Sequence, residues 1–188
     1  MKKYKRNQRV GALMKIFAER PNYVFSYNYF SEIFNAAKST ISEDVAIVRE
    51  LVEELDYGKV ETISGASGGA VFVPVMGVRE KNDILNELCN LFSNKNRILP
   101  GGFIYFTDIF NNPGIVTNIA RIIASEFTDK KPDCIVTVET KGIPVSILTG
   151  QKLNVPVAVI RRNNKVTEGA TVSINYVSGS SNNIQTMS

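Results

Sequence analysis

Thr140-Lys141-Gly142 is the segment of this chain whose residue types best suit a charged ligand. It joins a β-branched run, Ile135-Val136-Thr137-Val138, to a helical pattern through Val145, Leu148 and Leu153. Backbone N–H groups at a helix start beside an ammonium group attract phosphate or pyrophosphate. Gly142 lets a ligand approach the backbone closely. The same residues equally suit an ordinary strand-to-helix turn with a solvated lysine. Glu139 could exchange a proton there, but no second carboxylate is placed to match it. Histidine is absent, which excludes a Ser-His-Asp triad, a Cys-His dyad and a histidine-built metal site. There is no GxxxxGK[ST] motif, and Gly65-x-x-Gly68-Gly69 precedes a strand pattern, so neither phosphate fingerprint applies. No catalytic residue or metal ligand is assigned.

A second chemistry is suggested by charge. The net charge of +4 is modest, but residues 1–25 hold Lys2, Lys3, Lys5, Arg6, Arg9, Lys15 and Arg20 against Glu19 alone. From there to Glu61 the chain is acidic. A basic arm running into a helix suits a polyanion, and it equally suits a solubilising tail.

The elements that must position these groups follow from periodicity. Val10, Leu13, Met14, Phe17 and Ala18 describe one face of a first helix, ended by Pro21. Ser26 is placed to cap a second helix carrying Tyr27, Phe30, Ile33 and Phe34. Val45, Val48, Leu51, Val52 and Leu55 stripe a third, with Ser39-Thr40-Ile41-Ser42-Glu43 at its start suited to capping, and Gly58 closing it. Lys59-Val60-Glu61-Thr62-Ile63 and Ala70-Val71-Phe72-Val73-Pro74 flank a glycine-rich turn, as in a hairpin. Three helices and a hairpin, in that order, are the plan of a winged helix-turn-helix, whose third helix can enter a major groove. The hairpin could equally be a plain edge ribbon.

After a boundary at residues 74–79, Ile84, Leu85, Leu88, Leu91 and Phe92 form a helix face. Phe103-Ile104-Tyr105-Phe106 reads as a buried strand, and Asn112-Pro113 opens another helix. Residues 135–138 and 157–160, joined by the helix after Gly142, form a βαβ unit with parallel strands. Their lack of alternation suggests helices over both sheet faces. Residues 172–177 alternate as a last strand, and the polar tail after Ser178 looks mobile. The fold class is therefore α/β: a winged helix over residues 1–75, then a parallel-sheet domain over 76–188. Cys89 and Cys134, in apolar surroundings without CxxC spacing, read as buried free thiols. No apolar run approaches the roughly 18 residues of a membrane span, and no signal peptide is visible, so the expected location is cytoplasmic.

Several segments resemble the purine operon repressors of Gram-positive bacteria. They are Ala36-Ala37-Lys38-Ser39-Thr40-Ile41-Ser42-Glu43-Asp44, Arg97-Ile98-Leu99-Pro100-Gly101-Gly102, Thr140-Lys141-Gly142-Ile143-Pro144, Asn164-Lys165-Val166-Thr167-Glu168-Gly169 and the stretch 172–181. The resemblance implies a winged helix joined to a type I phosphoribosyltransferase-like domain. It implies a homodimer that binds control regions of purine genes, responds to 5-phosphoribosyl 1-pyrophosphate (PRPP) as effector rather than cofactor, and is not an enzyme. The alternative is an active phosphoribosyltransferase. Duplex contacts would come from Lys2, Lys3, Lys5, Arg6 and Arg9, from Lys38, Ser39, Thr40 and Ser42 on the third helix, and from Ser67 in the hairpin. Glu43 and Asp44 would favour the helix dipole or exclude wrong bases. Thr140, Lys141 and Gly142 match the family's pyrophosphate loop, with Arg161, Lys165 and Tyr105 as further effector contacts. Residues 178–188 match the start of its flexible loop. The family's acidic pair and Thr-Gly-Gly loop should come after Ser188, so the effector domain is expected to be incomplete and PRPP binding by this chain weak.

Overall fold

The computed structural model describes residues 3–65, 68–162, 171–180 and 182–188. Lys2, Ser67 and Lys165 lie outside them.

Three helices open the fold: α1 (Arg6–Glu19), α2 (Tyr27–Phe34) and α3 (Lys38–Glu54). Between the first two lies β1 (Phe25–Ser26), and after the third come β2 (Lys59–Ile63) and β3 (Gly69–Val73). The strands form one antiparallel sheet in the order β1-β3-β2. A Cβ on Gly69 would collide with the Phe25 carbonyl, so glycine there is what lets β1 lie against β3. Leu13 and Phe17 of α1, Phe30 and Phe34 of α2, and Ile41, Val45, Val48 and Val52 of α3 meet Phe25, Val60 and Ala70 in one core. Edge-to-face contacts of Phe17 with Phe25 and Phe30 lie within it.

Ser26 caps α2 as expected, its Oγ accepting from the Tyr29 N–H at 3.2 Å. The start of α3 differs. Ala37 is the N-cap and no side chain caps the helix, because Ser39 and Thr40 already lie inside its first turn. The helix ends at Glu54, before Gly58.

The second part begins with α4 (Val78–Phe92) and a 3₁₀ turn at Lys95–Arg97. Then follow α5 (Thr107–Phe110) and α6 (Pro113–Phe127), the latter capped by the Asn112 side chain. The apolar run at 103–106 is not a buried strand. A single antiparallel bridge, Ile98 with Ile104, crosses the Pro100-Gly101-Gly102 turn, and Phe103 is 71% exposed. Next come β4 (Ile135–Val138), α7 (Gly142–Leu153) and β5 (Val157–Ile160), with β4 and β5 paired in parallel. α7 packs on one face of this pair and against α6. On the other face Val136 and Val138 are 58% and 50% exposed, so helices do not cover both sides among the described residues. The tail also departs from expectation. β6 (Ile174–Val177) pairs antiparallel with β7 (Ile184–Met187), and Ser188 exchanges backbone hydrogen bonds with Arg161. Cys89 and Cys134 are free but exposed, not buried. Among the described residues, no helix is long and apolar enough to cross a membrane.

The two parts touch through Asn22, whose Nδ2 donates to the Lys152 carbonyl at 2.7 Å, and the start of the second part is fixed by the Met76 N–H, which donates to Ser125 Oγ at 3.3 Å.

Candidate functional site

Two groups of residues remain for chemistry, one on each part. The first lies where the start of α1 meets α3. Lys3, Lys5 and Arg6 are exposed at the head of α1, and no acidic residue sits in that helix's first turn. Cations at the positive end of a helix dipole are locally unfavourable. An external anion placed there would offset both charges. Lys38, Ser39 and Ser42 are exposed on the first turns of α3, and Thr40 is half-buried. With Ala37 at the cap, the first amides of α3 have no side-chain acceptor.

Arg9 does not belong to this surface. It is only 8% exposed, and its Nε donates to Asp44 Oδ2 at 2.5 Å while Nη2 reaches Oδ1 at 3.2 Å. Nη1 donates to the Tyr4 carbonyl at 2.8 Å. The hydrogen bonds it donates to Asp44 hold the guanidinium still further toward its charged form. Asp44, fully buried, therefore neither serves the helix dipole at the surface nor faces bases; it ties α3 to α1. The pattern carried the signal: Arg9, Leu13 and Phe17 recur every four residues on the buried face of α1, and Asp44, Val48 and Val52 do so on α3. Arg6 is partly engaged, donating to Glu43 Oε2 at 2.6 Å and lying 3.5 Å from Asp44 Oδ1.

The second group surrounds the loop before α7. A Cβ on Gly142 would strike the Thr137 hydroxyl, so the loop folds back onto β4 only with glycine there. The Glu139–Thr140 peptide is cis. Lys141 Nζ donates to Thr107 Oγ1 and lies 5.5 Å from the centre of the Phe106 ring. That contact brings the chain after Tyr105 to the loop, with Tyr105 itself 45% exposed. At the end of β5, Arg161 Nη1 lies 3.4 Å from Glu139 Oε2, and Glu139 Oε1 accepts from the Arg162 N–H at 3.0 Å. Glu139 is thus held by cationic and amide donors. Thr140, Lys141, Gly142 and Arg161 converge at the carboxyl edge of the parallel pair, where open α/β sheets take ligands. The sequence reading missed Phe106 and Thr107, whose only signal was a hydroxyl closing an apolar run. It also missed Arg97 and Asp108, paired at 2.8 Å, which brace that segment.

The comparisons with known proteins divide the chain in the same order. The family model described as "Bacterial purine repressor, N-terminal" matches residues 5–74, and the one described as "Phosphoribosyl transferase domain" matches residues 106–187. The chain is 42% identical over 186 residues to the purine biosynthesis transcriptional repressor PurR of Bacillus subtilis, covering 99% of this chain and 65% of that protein. It is 41% identical over 179 residues to the probable purine biosynthesis transcriptional regulator PurR of Streptococcus pneumoniae, covering 95% and 65%. It is 39% identical over 183 residues to the purine biosynthesis transcriptional activator PurR of Lactococcus lactis subsp. lactis, covering 97% and 68%. The chain thus spans 65% of the length of the first two relatives.

Proposed function

The chain belongs to the bacterial purine repressor family, and on that premise we propose that it is a DNA-binding transcriptional regulator of purine biosynthesis genes, acting as a repressor, and not an enzyme. The observation that carries this reading is the uncapped, exposed first turn of α3, with Lys38, Ser39 and Ser42, beside the basic start of α1. Such a surface meets phosphates with cations and amides and leaves small hydroxyls for base edges. Lys3, Lys5 and Arg6 grip the backbone, Arg6 by exchanging Glu43 for phosphate. The working form is a cytoplasmic homodimer.

The loop Thr140-Lys141-Gly142, with Tyr105 and Arg161, takes the pyrophosphate of PRPP, and occupancy releases the operator. A transferase reading has the same loop in its favour; it predicts nucleotide formation from PRPP and a base, whereas a regulator forms none. The test is titration of the chain with a duplex carrying a purine-gene control region and with a scrambled duplex, with and without PRPP. Tighter binding to the control region supports the reading. Equal affinity for both duplexes overturns it, and an affinity unchanged by PRPP even at concentrations high enough for the weak binding expected of this chain removes the effector part.

A further inference from the structure

We propose that the cleft between α3 and the β2–β3 hairpin is a phosphodiester groove anchored by Arg49. The inference rests on the duplex-binding reading and adds to it a place and a residue outside the basic arm. The cleft has a volume of about 470 Å³ and is lined by Tyr27, Ser42, Arg49, Thr62, Ser64 and Gly68, among others. Among the described residues, no carboxylate lines it. Its polar side chains are hydroxyls and one guanidinium, a donor set that suits an anion and repels a cation.

Arg49 is half-buried and, among the described residues, makes no ion pair, unlike Arg6 and Arg9 on α1. Drawing a guanidinium partly out of water without a counter-ion is unfavourable. A phosphate in the cleft would relieve that. The helix geometry agrees. At about 100° per residue, Arg49 lies within roughly 20° of both Lys38 and Ser42 around the α3 axis, while Glu43 and Glu50 fall about 80° or more from that stripe; Glu53, about 40° from Arg49 and one turn further on, is exposed and does not line the cleft. Arg6 further draws Glu43 toward α1. On β2, Thr62 lines this cleft while Glu61 lines a cavity on the opposite side of the sheet with Asn22 and Val24. Lys38 and Arg49 are about 16 Å apart along the helix, the rise of roughly five base pairs, so they serve different phosphates.

The experiment uses the full chain with a control-region duplex and an unrelated duplex of equal length, over a salt series. Arg49→Gln is expected to weaken both duplexes equally, by about tenfold at low salt, and to make the log-affinity against log-salt slope shallower by about one. Arg49→Lys should retain most of the affinity and the slope. Lys95→Gln, which removes one exposed charge from the 3₁₀ turn after α4, should change neither. Ser42→Glu, which puts an anion at the cleft on an exposed position, should weaken both duplexes more than Arg49→Gln does. Unchanged affinity and slope in Arg49→Gln, with salt-dependent binding by the unaltered chain, overturns the inference and leaves the regulator reading standing. A loss confined to the control-region duplex overturns it in favour of base reading by Arg49. Arg49-dependent stabilisation by inorganic phosphate without any effect on duplex binding overturns it in favour of a small-anion site. If the unaltered chain binds neither duplex, the regulator reading falls and this inference with it.

Discussion

Between Tyr4 and Phe72 the apolar side chains converge on a single cluster, with Leu13, Phe30, Ile41 and Val48 fully buried. Across residues 135–187 the same residue types face both ways. Val145 and Leu153 of α7 are buried, while Val136, Val138, Ile174, Val177 and Ile184 are exposed. The contrast separates two ways of placing a charged group. In the first region the cationic surface stands on helices locked by a core and by the buried Arg9–Asp44 pair. In the second, the Lys141 loop is held by one covered sheet face, by α6, and by contacts of Lys141 with Thr107 and Phe106 and of Glu139 with Arg161 and the Arg162 N–H. Substitutions should therefore act differently in the two.

Core truncation gives the largest expected difference. Phe30→Ala should cost about 3–5 kcal/mol of unfolding free energy, because the cavity sits among four aromatic neighbours. Val136→Ala, on the open sheet face, should change it by less than about 0.5 kcal/mol. Denaturant unfolding measures both, and equal losses would erase the distinction. Next comes Asp44→Ala, which leaves Arg9 buried without its carboxylate and should cost about 3 kcal/mol. The double replacement Arg9→Met with Asp44→Leu should recover most of that, since no lone charge remains. A double variant no better than Asp44→Ala would mean that the pair does not act as a unit.

Lys38→Gln should weaken duplex binding several-fold while leaving the melting temperature nearly unchanged, because the side chain is exposed and makes no ion pair among the described residues. A lowered melting temperature with unchanged affinity would place Lys38 in the structural set instead. The smallest effect concerns pH. The hydrogen bonds from Arg97 hold Asp108 below the ordinary 3.8 of an aspartate. Its folded value lies below its unfolded one, so the pair's stabilisation is complete above that ordinary value and is lost as pH falls through the folded one. Asp108→Asn should therefore flatten the acid limb of the stability profile below about pH 4 and leave neutral pH nearly unchanged. An acid limb of the same steepness would remove the pair from the acid response.

The same contrast decides what could be read from residues alone. The amphipathic helices, the Ser26 cap, the β2–β3 hairpin and the parallel β4–β5 pair were legible because each rests on local periodicity or local turn chemistry. β1 was not, since two residues carry no period; it exists because Gly69 admits the Phe25 backbone. Phe103 and Tyr105 were misplaced because an apolar run announces hydrophobicity without saying which contacts cover it. β7 was hidden by polar residues that pair through their backbone and through side chains such as Thr186 Oγ1, which donates to Asn175 Oδ1. Arg9 was misassigned by its charge, although its four-residue spacing from Leu13 put it on the core face. Arg49 went unremarked for the opposite reason: one cation in an acidic stretch looks neutralised until the cleft beside it is seen to hold no carboxylate among the described residues.

The most direct measurement is the affinity of the unaltered chain for a purine-gene control-region duplex as monovalent salt is raised. Lys3, Lys5, Lys38 and Arg49 supply four cations without ion pairs among the described residues. If each of these neutralises one phosphate, and Arg6 another on leaving Glu43, a log–log slope of about −4.5 per protomer is expected. A slope near zero, with binding intact, would contradict it.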